Sequence, residues 1–447
     1  MNKSILKLAI PNIISNITVP LLGLVDMILM GHLNSTAYIG AIALGGTIFS
    51  VLYSFFSFLR AGTTGFTAQS YGNNDKTETI YSLYRSISIG IPIIVLILSL
   101  QTPIAKLSKI LLNGSDDVIS LALTYFYIRI WGAPANILLY CLNGWFVGMQ
   151  NTKAPMIIAI LINVTNIILS YIFVFILEQN IKGVAIGTVL AQYCGLIVAL
   201  ILSIKNYKSF FVKINTKILF NIEKIKRFFK VNTDLMIRSI LLILSIAFFT
   251  NQSAKLGNNT LAINMIILQS FYIFSYFTDG FAYAGEALTG RYIGAKDSLM
   301  VRKTVRWTFV WSMSIALIFM VIYQFAGVPM LHMMTSDAVV IEASRNYLPW
   351  LLLMPVAGCA AFTWDGIYIG ATASRQMRNS MLWATVAFAA LWTVGILLLG
   401  WLGSSVDSVA PGSPSYGRIA MHILMAAYFA HLLARTVYLS VMWRTIH

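Results

Sequence analysis

The sequence predicts an all-α integral membrane protein. Twelve transmembrane helices form two six-helix bundles related by a pseudo-twofold axis along the membrane normal. Three observations predict this. Of 447 residues, 58% are hydrophobic and only 10% charged, against about 25% charged in soluble domains. Apolar runs of about 20 residues, each long enough to cross a bilayer, recur from end to end. The second half also repeats the first. TAQSYGNNDKT at 67–77 is echoed by TGRYIGAKDSL at 289–299, NGWFVG at 143–148 by DGIYIG at 365–370, and Tyr125 by Tyr347, all at one shift of 222 residues. A six-helix repeat returns the chain to the side it left, so both halves run the same way through the membrane. That relation sets the axis along the normal, with a cavity between the halves.

The first run, 8–30, follows Lys3 and Lys7 as a signal peptide would. It is too long for one, contains Pro11 and Pro20, and shows no small-residue cleavage site, so it reads as a membrane helix. Runs at 38–60, 84–104, 118–148, 155–177 and 181–204 complete the first half. The second half holds 232–256, 260–286, 304–326, 340–370, 380–402 and 417–443. The spans 118–148 and 340–370 are long enough that they must tilt or project.

The predicted division is a first lobe at 1–204, a basic linker at 205–231 and a second lobe at 232–447. The linker carries Lys205, Lys208, Lys213, Lys217, Lys224, Lys226, Arg227 and Lys230 against one acid, Glu223. By the positive-inside rule it is cytoplasmic. Loops of the same parity agree: Lys76 and Arg85; Lys153; Lys296, Arg302 and Lys303; Arg375 and Arg378. The Gly/Pro/Ser loop at 404–417 falls outside, and both termini fall in the cytoplasm. The expected location is the inner (plasma) membrane, as a monomer in the lipid bilayer.

The net charge of +16 is therefore a topology signal, distributed over alternate loops, and does not mark a nucleic-acid surface. Cys141, Cys194 and Cys359 lie in apolar segments, which argues against a disulfide framework. There is no P-loop, HExxH or paired CxxC, and His32, His332, His422, His431 and His447 lack metal-ligand spacing. Neither ATP hydrolysis, a metal, another cofactor nor enzymatic chemistry is indicated.

One carboxylate interrupts the first apolar run. Asp26 sits well past its start, and a charge at the bilayer centre costs roughly 2.5–3.5 kcal/mol on insertion scales. Such a group is paired, protonated or placed against water. Asp26 is expected to take up and release a proton as the coupling acid of a transporter. Pro11 and Pro20 on the same helix each remove a backbone hydrogen bond, giving hinge points or a static kink.

In the fifth run Asn163, Asn166 and Ser170 share one face, and Thr188 in the sixth adds a hydroxyl. Interhelical hydrogen bonding accounts for the same residues. Under the 222 shift Asp26 falls on Phe248 and Asn166 on Phe388, so the second lobe keeps the repeat without the acid.

The eighth run carries Gln269, Tyr272, Tyr276, Asp279, Tyr283 and Glu286 on one stripe. Tyrosine faces and carboxylates suit an aromatic organic cation; a helix–helix seam would use the same residues. Asp234 and Arg238, four apart, are placed to pair with each other. Asp365 is placed to pair with Arg238 or to take part in gating.

These residues resemble the multidrug and toxic compound extrusion (MATE) transporters. The resemblance rests on LAIP at 8–11, VDMILMGHL at 25–33 and AQSYG at 68–72. NTDLMIRS at 232–239, DGFAYAGEALTGRYIGA at 279–295 and DGIYIGATASRQMRNS at 365–380 narrow it to the DinF-like branch. It covers essentially the whole chain.

The resemblance implies export of organic cations or other amphiphiles by alternating access, driven by inward proton or sodium flow. It also implies a first-lobe cation site at Asp26, Asn166 and Thr188. Where this chain has Ser170, the family often has a second acid. Its loss removes hard oxygen ligands that a dehydrated sodium ion prefers, so protons are the expected coupling ion and sodium the alternative. One rival is a lipid-linked precursor flippase of the same superfamily, disfavoured because the intramembrane charges read as mostly acids. A more distant rival is an integral membrane transferase, for which no catalytic cluster is visible.

Overall fold

The computed structural model describes residues 1–33, 35–111, 114–212, 214–335, 337–403 and 413–444. Most of the loop at 404–417, Lys213 of the linker and His447 lie outside the described residues. Among the described residues there is no strand. Twelve helices among these residues are long and apolar enough to cross a membrane. In chain order the first bundle has α1 (Asn2–Gly31), α2 (Ala37–Gly72), α3 (Lys76–Ser99), α4 (Asp116–Gly148), α5 (Lys153–Ile176) and α6 (Asn180–Phe210). The second has α7 (Ile222–Lys255), α8 (Asn258–Gly294), α9 (Ser298–Met334), α10 (Leu348–Gly370), α11 (Ser374–Leu402) and α12 (Ser415–Trp443).

The internal repeat is visible in the backbone. The left-handed residues Asn74 (φ 57°) and Lys296 (φ 57°) are 222 apart, as are Gln150 (φ 62°) and Thr372 (φ 54°). Asp75 and Asp297 then cap the next helices identically, accepting from the amides of Glu78 (2.9 Å) and Met300 (3.0 Å).

Several predicted boundaries move. The expected span 340–370 is two helices, Ala338–Arg345 and Leu348–Gly370. Pro349 has no amide hydrogen and is tolerated only in a first turn, so the earlier helix stops before it. The span 118–148 tightens to a 3₁₀ turn at Ile130–Gly132 for the same reason, since Pro134 opens the next helical stretch. Helix α2 continues past residue 60 to Gly72, so the whole AQSYG motif is helical. The basic linker is largely absorbed into helices. Residues 205–210 continue α6, and Ile222–Lys230 opens α7, because Ile222, Ile225, Phe228 and Phe229 set an apolar stripe between the bases. Helix α1 stays helical through Pro11 and Pro20.

The bundles meet toward the end that carries the linker. There α8 packs against α1 and α2, and α10 also touches α2. The approach at the pseudo-axis is so close that only glycine fits. A methyl at Gly72 would lie 1.8 Å from the Arg291 carbonyl oxygen, and one at Gly294 1.9 Å from that of Gln69. Gln69 Nε2 and Gln150 Nε2 reinforce the seam by donating to the carbonyls of Gly370 and Ala287 at 2.9 and 2.8 Å.

Candidate functional site

In the first bundle, Asp26 lies 4% exposed on α1, and its Oδ1 is buried without a hydrogen-bond partner among the described residues. The guanidinium acting on it electrostatically is Arg129 of α4, a residue the sequence reading did not single out. Arg129 donates to the Tyr125 hydroxyl at 2.8 Å and lies 4.7 Å from the Phe49 ring centroid. Asn166 and Thr188 come together as expected, Nδ2 donating to Oγ1 at 2.9 Å. Both are fully buried, and the Asn166 Oδ1 and Ser170 Oγ have no partner among the described residues. Ser170 packs against the Gly187 backbone of α6. These partnerless oxygens are the atoms that could meet a proton, water or small cation.

Asn163 has a different position from its neighbours. Its Nδ2 donates to the Thr18 carbonyl at 2.9 Å, tying α5 to α1. Asn16 Nδ2 in turn donates to the Tyr276 carbonyl of α8 at 3.2 Å. Helix α1 is thus pinned on the linker side of Pro20, and Asp26 lies beyond the pins.

In the second bundle the predicted Asp234–Arg238 pair does not form. Each residue points to a different neighbouring helix and finds a partner there. Asp234 accepts from Arg378 at 2.7 Å and from the Ser374 hydroxyl at 2.8 Å, both on α11. Arg238 donates to Asp365, whose Oδ2 is shared with Arg435 of α12. Arg435 is 1% exposed.

The α8 stripe is a network more than a free aromatic face. Glu286 is fully buried and pairs with Arg60 of α2, Nη1 to Oε1, at 3.5 Å. The same guanidinium sits 4.2 Å from the Tyr283 ring centroid, so the cation on that ring is the protein's own. Asp279 stands half-buried within electrostatic range of Arg60, Arg238, Arg435 and Asp365. Tyr272 packs into the second core, and Tyr276 contributes its carbonyl to Asn16.

Three acids, Asp279, Glu286 and Asp365, therefore face three bases, Arg60, Arg238 and Arg435. The reading that the intramembrane charges are mostly acids is corrected. Two of the missed arginines carried a legible signal: Arg129 and Arg435 interrupt apolar runs just as Asp26 does.

The chain matches the profile of the MatE family over residues 11–172 and 235–388. It is 35% identical over 448 residues to DNA damage-inducible protein F of Escherichia coli strain K12, covering 99% of this chain and 92% of that protein. It is 26% identical to the multidrug export protein MepA of Staphylococcus aureus strain N315, over 54% of this chain and 53% of that one. A crystal structure of MATE in the bent conformation superposes with a TM-score of 0.85 at 16% identity, covering 100% of this chain and 97% of that one.

Proposed function

The chain belongs to the MatE family, and from that premise we propose that it is a secondary multidrug antiporter exporting amphiphilic organic cations in exchange for protons. The single observation that carries this reading is Asp26, a buried carboxylate whose Oδ1 has no hydrogen-bond partner among the described residues, on a helix whose side-chain hydrogen bonds to α5 and α8 lie on the linker side of Pro20. Asp26 would be the group for which proton and substrate compete. Asn166, Thr188 and Ser170 would line its surroundings. The same oxygens are the ligands a sodium ion would use, but without a second carboxylate at Ser170 the set suits a proton better. The membrane would be the plasma membrane, with the linker and termini cytoplasmic. The two lobes, 1–204 and 232–447, would rock about the seam at Gly72 and Gly294. The present arrangement, sealed toward the linker end, would then be closed to the cytoplasm.

A second reading of substrate charge is favoured by one observation. Arg60, Arg238 and Arg435 balance the three acids near the lobe interface, so an amphiphile with an anionic group would also find a partner.

Purified protein in liposomes tests both. The expected result is efflux of a fluorescent cationic dye under a pH gradient alone, lost in Asp26→Asn. Efflux that requires a sodium gradient would overturn proton coupling. Transport confined to an anionic amphiphile would overturn the cationic substrate class. Absence of gradient-driven movement for either dye would favour a lipid-linked substrate.

A further inference from the structure

Arg129 is a base inside the first bundle with no part in the proposed proton exchange. It ends the first helical stretch of α4, where the 3₁₀ turn at Ile130–Gly132 begins. Tyr125, one turn earlier, is held in place: a methyl at Gly45 of α2 would lie 2.5 Å from its ring. Residues four apart share a helix face, so Arg129 is carried to the same side. Its guanidinium carbon sits 4.7 Å from the Phe49 ring centroid and 5.3 Å from that of Tyr125, and Nη1 donates to the Tyr125 hydroxyl at 2.8 Å. That hydroxyl lies beside the Thr188 side chain, which accepts from Asn166 at 2.9 Å. Geometry alone thus joins Arg129 to the polar cluster expected to serve Asp26.

Asp26 Oδ1 and Arg129 Nε are both buried without a hydrogen-bond partner among the described residues, and Arg129 is the charged side chain that acts on Asp26. The titratable groups facing Arg129 are Asp26 of α1, Tyr53 of α2 and Tyr125 of its own helix. Among the described residues the cluster therefore holds one acid and one base, whose charges cancel. The first bundle's other arginines are committed elsewhere, Arg60 to Glu286 and Arg85 to Glu78. The repeat treats the acid and the base as a unit. Under the 222 shift Asp26 falls on Phe248 and Arg129 on Leu351, so the second bundle lacks both. A fixed guanidinium opposes any added positive charge, but the two coupling ions differ in what they need. A proton needs one lone pair of Asp26. A sodium ion must gather a shell of hard oxygen ligands, and Arg129 already takes up an acceptor site on the Tyr125 hydroxyl. Its guanidinium carries donors only, so it repels sodium and brings it no ligand.

We propose that Arg129 sets the ion selectivity of the first bundle. Tethered to Tyr125 and Phe49, its guanidinium takes the place of a bound sodium ion near Asp26 and leaves that carboxylate open to protons alone. The inference rests on the reading of Asp26 as the coupling acid. Arg129 acts through its fixed charge and does not itself carry the proton, because a guanidinium stays protonated in proteins.

The test is binding of radioactive sodium to the full purified chain in detergent, at fixed pH and with no transport step. The native chain is expected to bind no more sodium than Asp26→Asn. Arg129→Gln is expected to bind sodium with at least about tenfold higher affinity, the low end of what one neighbouring charge does to ion binding at a carboxylate. Arg129→Gln/Asp26→Asn is expected to lose that gain. Arg129→Lys keeps the charge while changing the packing, and is expected to exclude sodium as the native chain does. A native chain that binds sodium through Asp26 would overturn the proposal, as would Arg129→Gln without a gain or an equal gain in Arg129→Lys. Should Arg129→Gln misfold, Arg129→Met keeps an apolar stem over Phe49 and carries the same expectation. The native chain supplies a further check: replacing choline by sodium is expected to leave its infrared carboxylate bands unchanged. A sodium-induced change that disappears in Asp26→Asn would sink the proposal. Failure of the coupling reading has a different signature, pH-driven efflux that survives Asp26→Asn while Arg129 still excludes sodium.

Discussion

Arg60 of α2 reaches across the lobe interface to Glu286 of α8, its Nη1 3.5 Å from Oε1 and its guanidinium 4.2 Å from the Tyr283 ring centroid. Glu286 is fully buried, and its second oxygen has no partner among the described residues. Breaking a buried pair by removing one member costs about 3–5 kcal/mol, because the other charge is stranded. Arg60→Met should therefore lower thermal stability in detergent more than Arg60→Met/Glu286→Met, which removes both charges. A double variant no more stable than Arg60→Met would show that the two residues are not energetically coupled.

The seam at the pseudo-axis makes a symmetric prediction. Gly72 and Gly294 face equivalent carbonyls at 1.8 and 1.9 Å from an added methyl. Gly72→Ala and Gly294→Ala should each destabilise by about 1–3 kcal/mol, as overpacking does, and by similar amounts. Both should also increase labelling of a cysteine placed at Gln69 by a water-soluble maleimide, because the lobes must part to admit the methyl. Effects that differ by more than the measurement error would break the equivalence of the two repeats.

Asp365 holds two guanidiniums on one oxygen, Arg238 from α7 and Arg435 from α12. Asp365→Asn strands both cations, and a loss of about 3–5 kcal/mol is expected. Removing Arg435 as well should recover part of that loss, with a coupling of about 0.5–3 kcal/mol in a double-mutant cycle. Additive losses would mean that the triad acts as independent contacts.

His431 lies four residues before Arg435, stacked on Tyr428 with ring centroids 6.0 Å apart, and neither ring nitrogen has a partner among the described residues. A buried donor without a partner costs about 1–3 kcal/mol. His431→Phe keeps the ring and removes that cost, so the variant is expected to unfold at a higher temperature than the native chain. A lower unfolding temperature would indicate that the imidazole has a polar role in the second bundle.

The architecture was legible in the sequence because two signals reinforce each other. Apolar length marks each span, and the 222-residue repeat recurs in the left-handed residues Asn74 and Lys296. Asp26 stood out because it is a lone charge in an apolar run, and the Asn166–Thr188 contact followed from the resemblance to the family. Pairing was legible only in part. Arg238 meets Asp365, one of the two roles expected of that acid, but Asp234, which satisfies the one-turn spacing rule with Arg238, turns to Arg378 on α11, because partner choice depends on how helices far apart in sequence lie beside each other. Arg60 escaped notice because it closes the predicted span 38–60, where a base reads as a boundary; continuation of α2 to Gly72 puts it inside the bundle. Helix ends at 340–370 failed through proline chemistry, since periodicity alone does not register the break before Pro349.

Asn163 and Asn166 lie one turn apart on α5 but do different work, and a paired substitution separates them. Asn163 is bonded to the Thr18 carbonyl at 2.9 Å, just before Pro20, whose missing amide already leaves the Asn16 carbonyl without its helical donor. Asn166 faces Thr188 and keeps a buried oxygen free of partners among the described residues. Asn163→Ala should loosen α1 at the proline, costing on the order of 0.6 kcal/mol, an average for an interhelical hydrogen bond in a membrane protein. Its dye efflux rate should change while efflux still follows the imposed pH gradient. Asn166→Ala should instead weaken the response to that gradient, because it alters the polar lining proposed around Asp26. The check is efflux from liposomes over a series of imposed pH differences. If Asn163→Ala uncouples efflux from the gradient as strongly as Asn166→Ala, Asn163 belongs to the coupling site and is not a pin on α1.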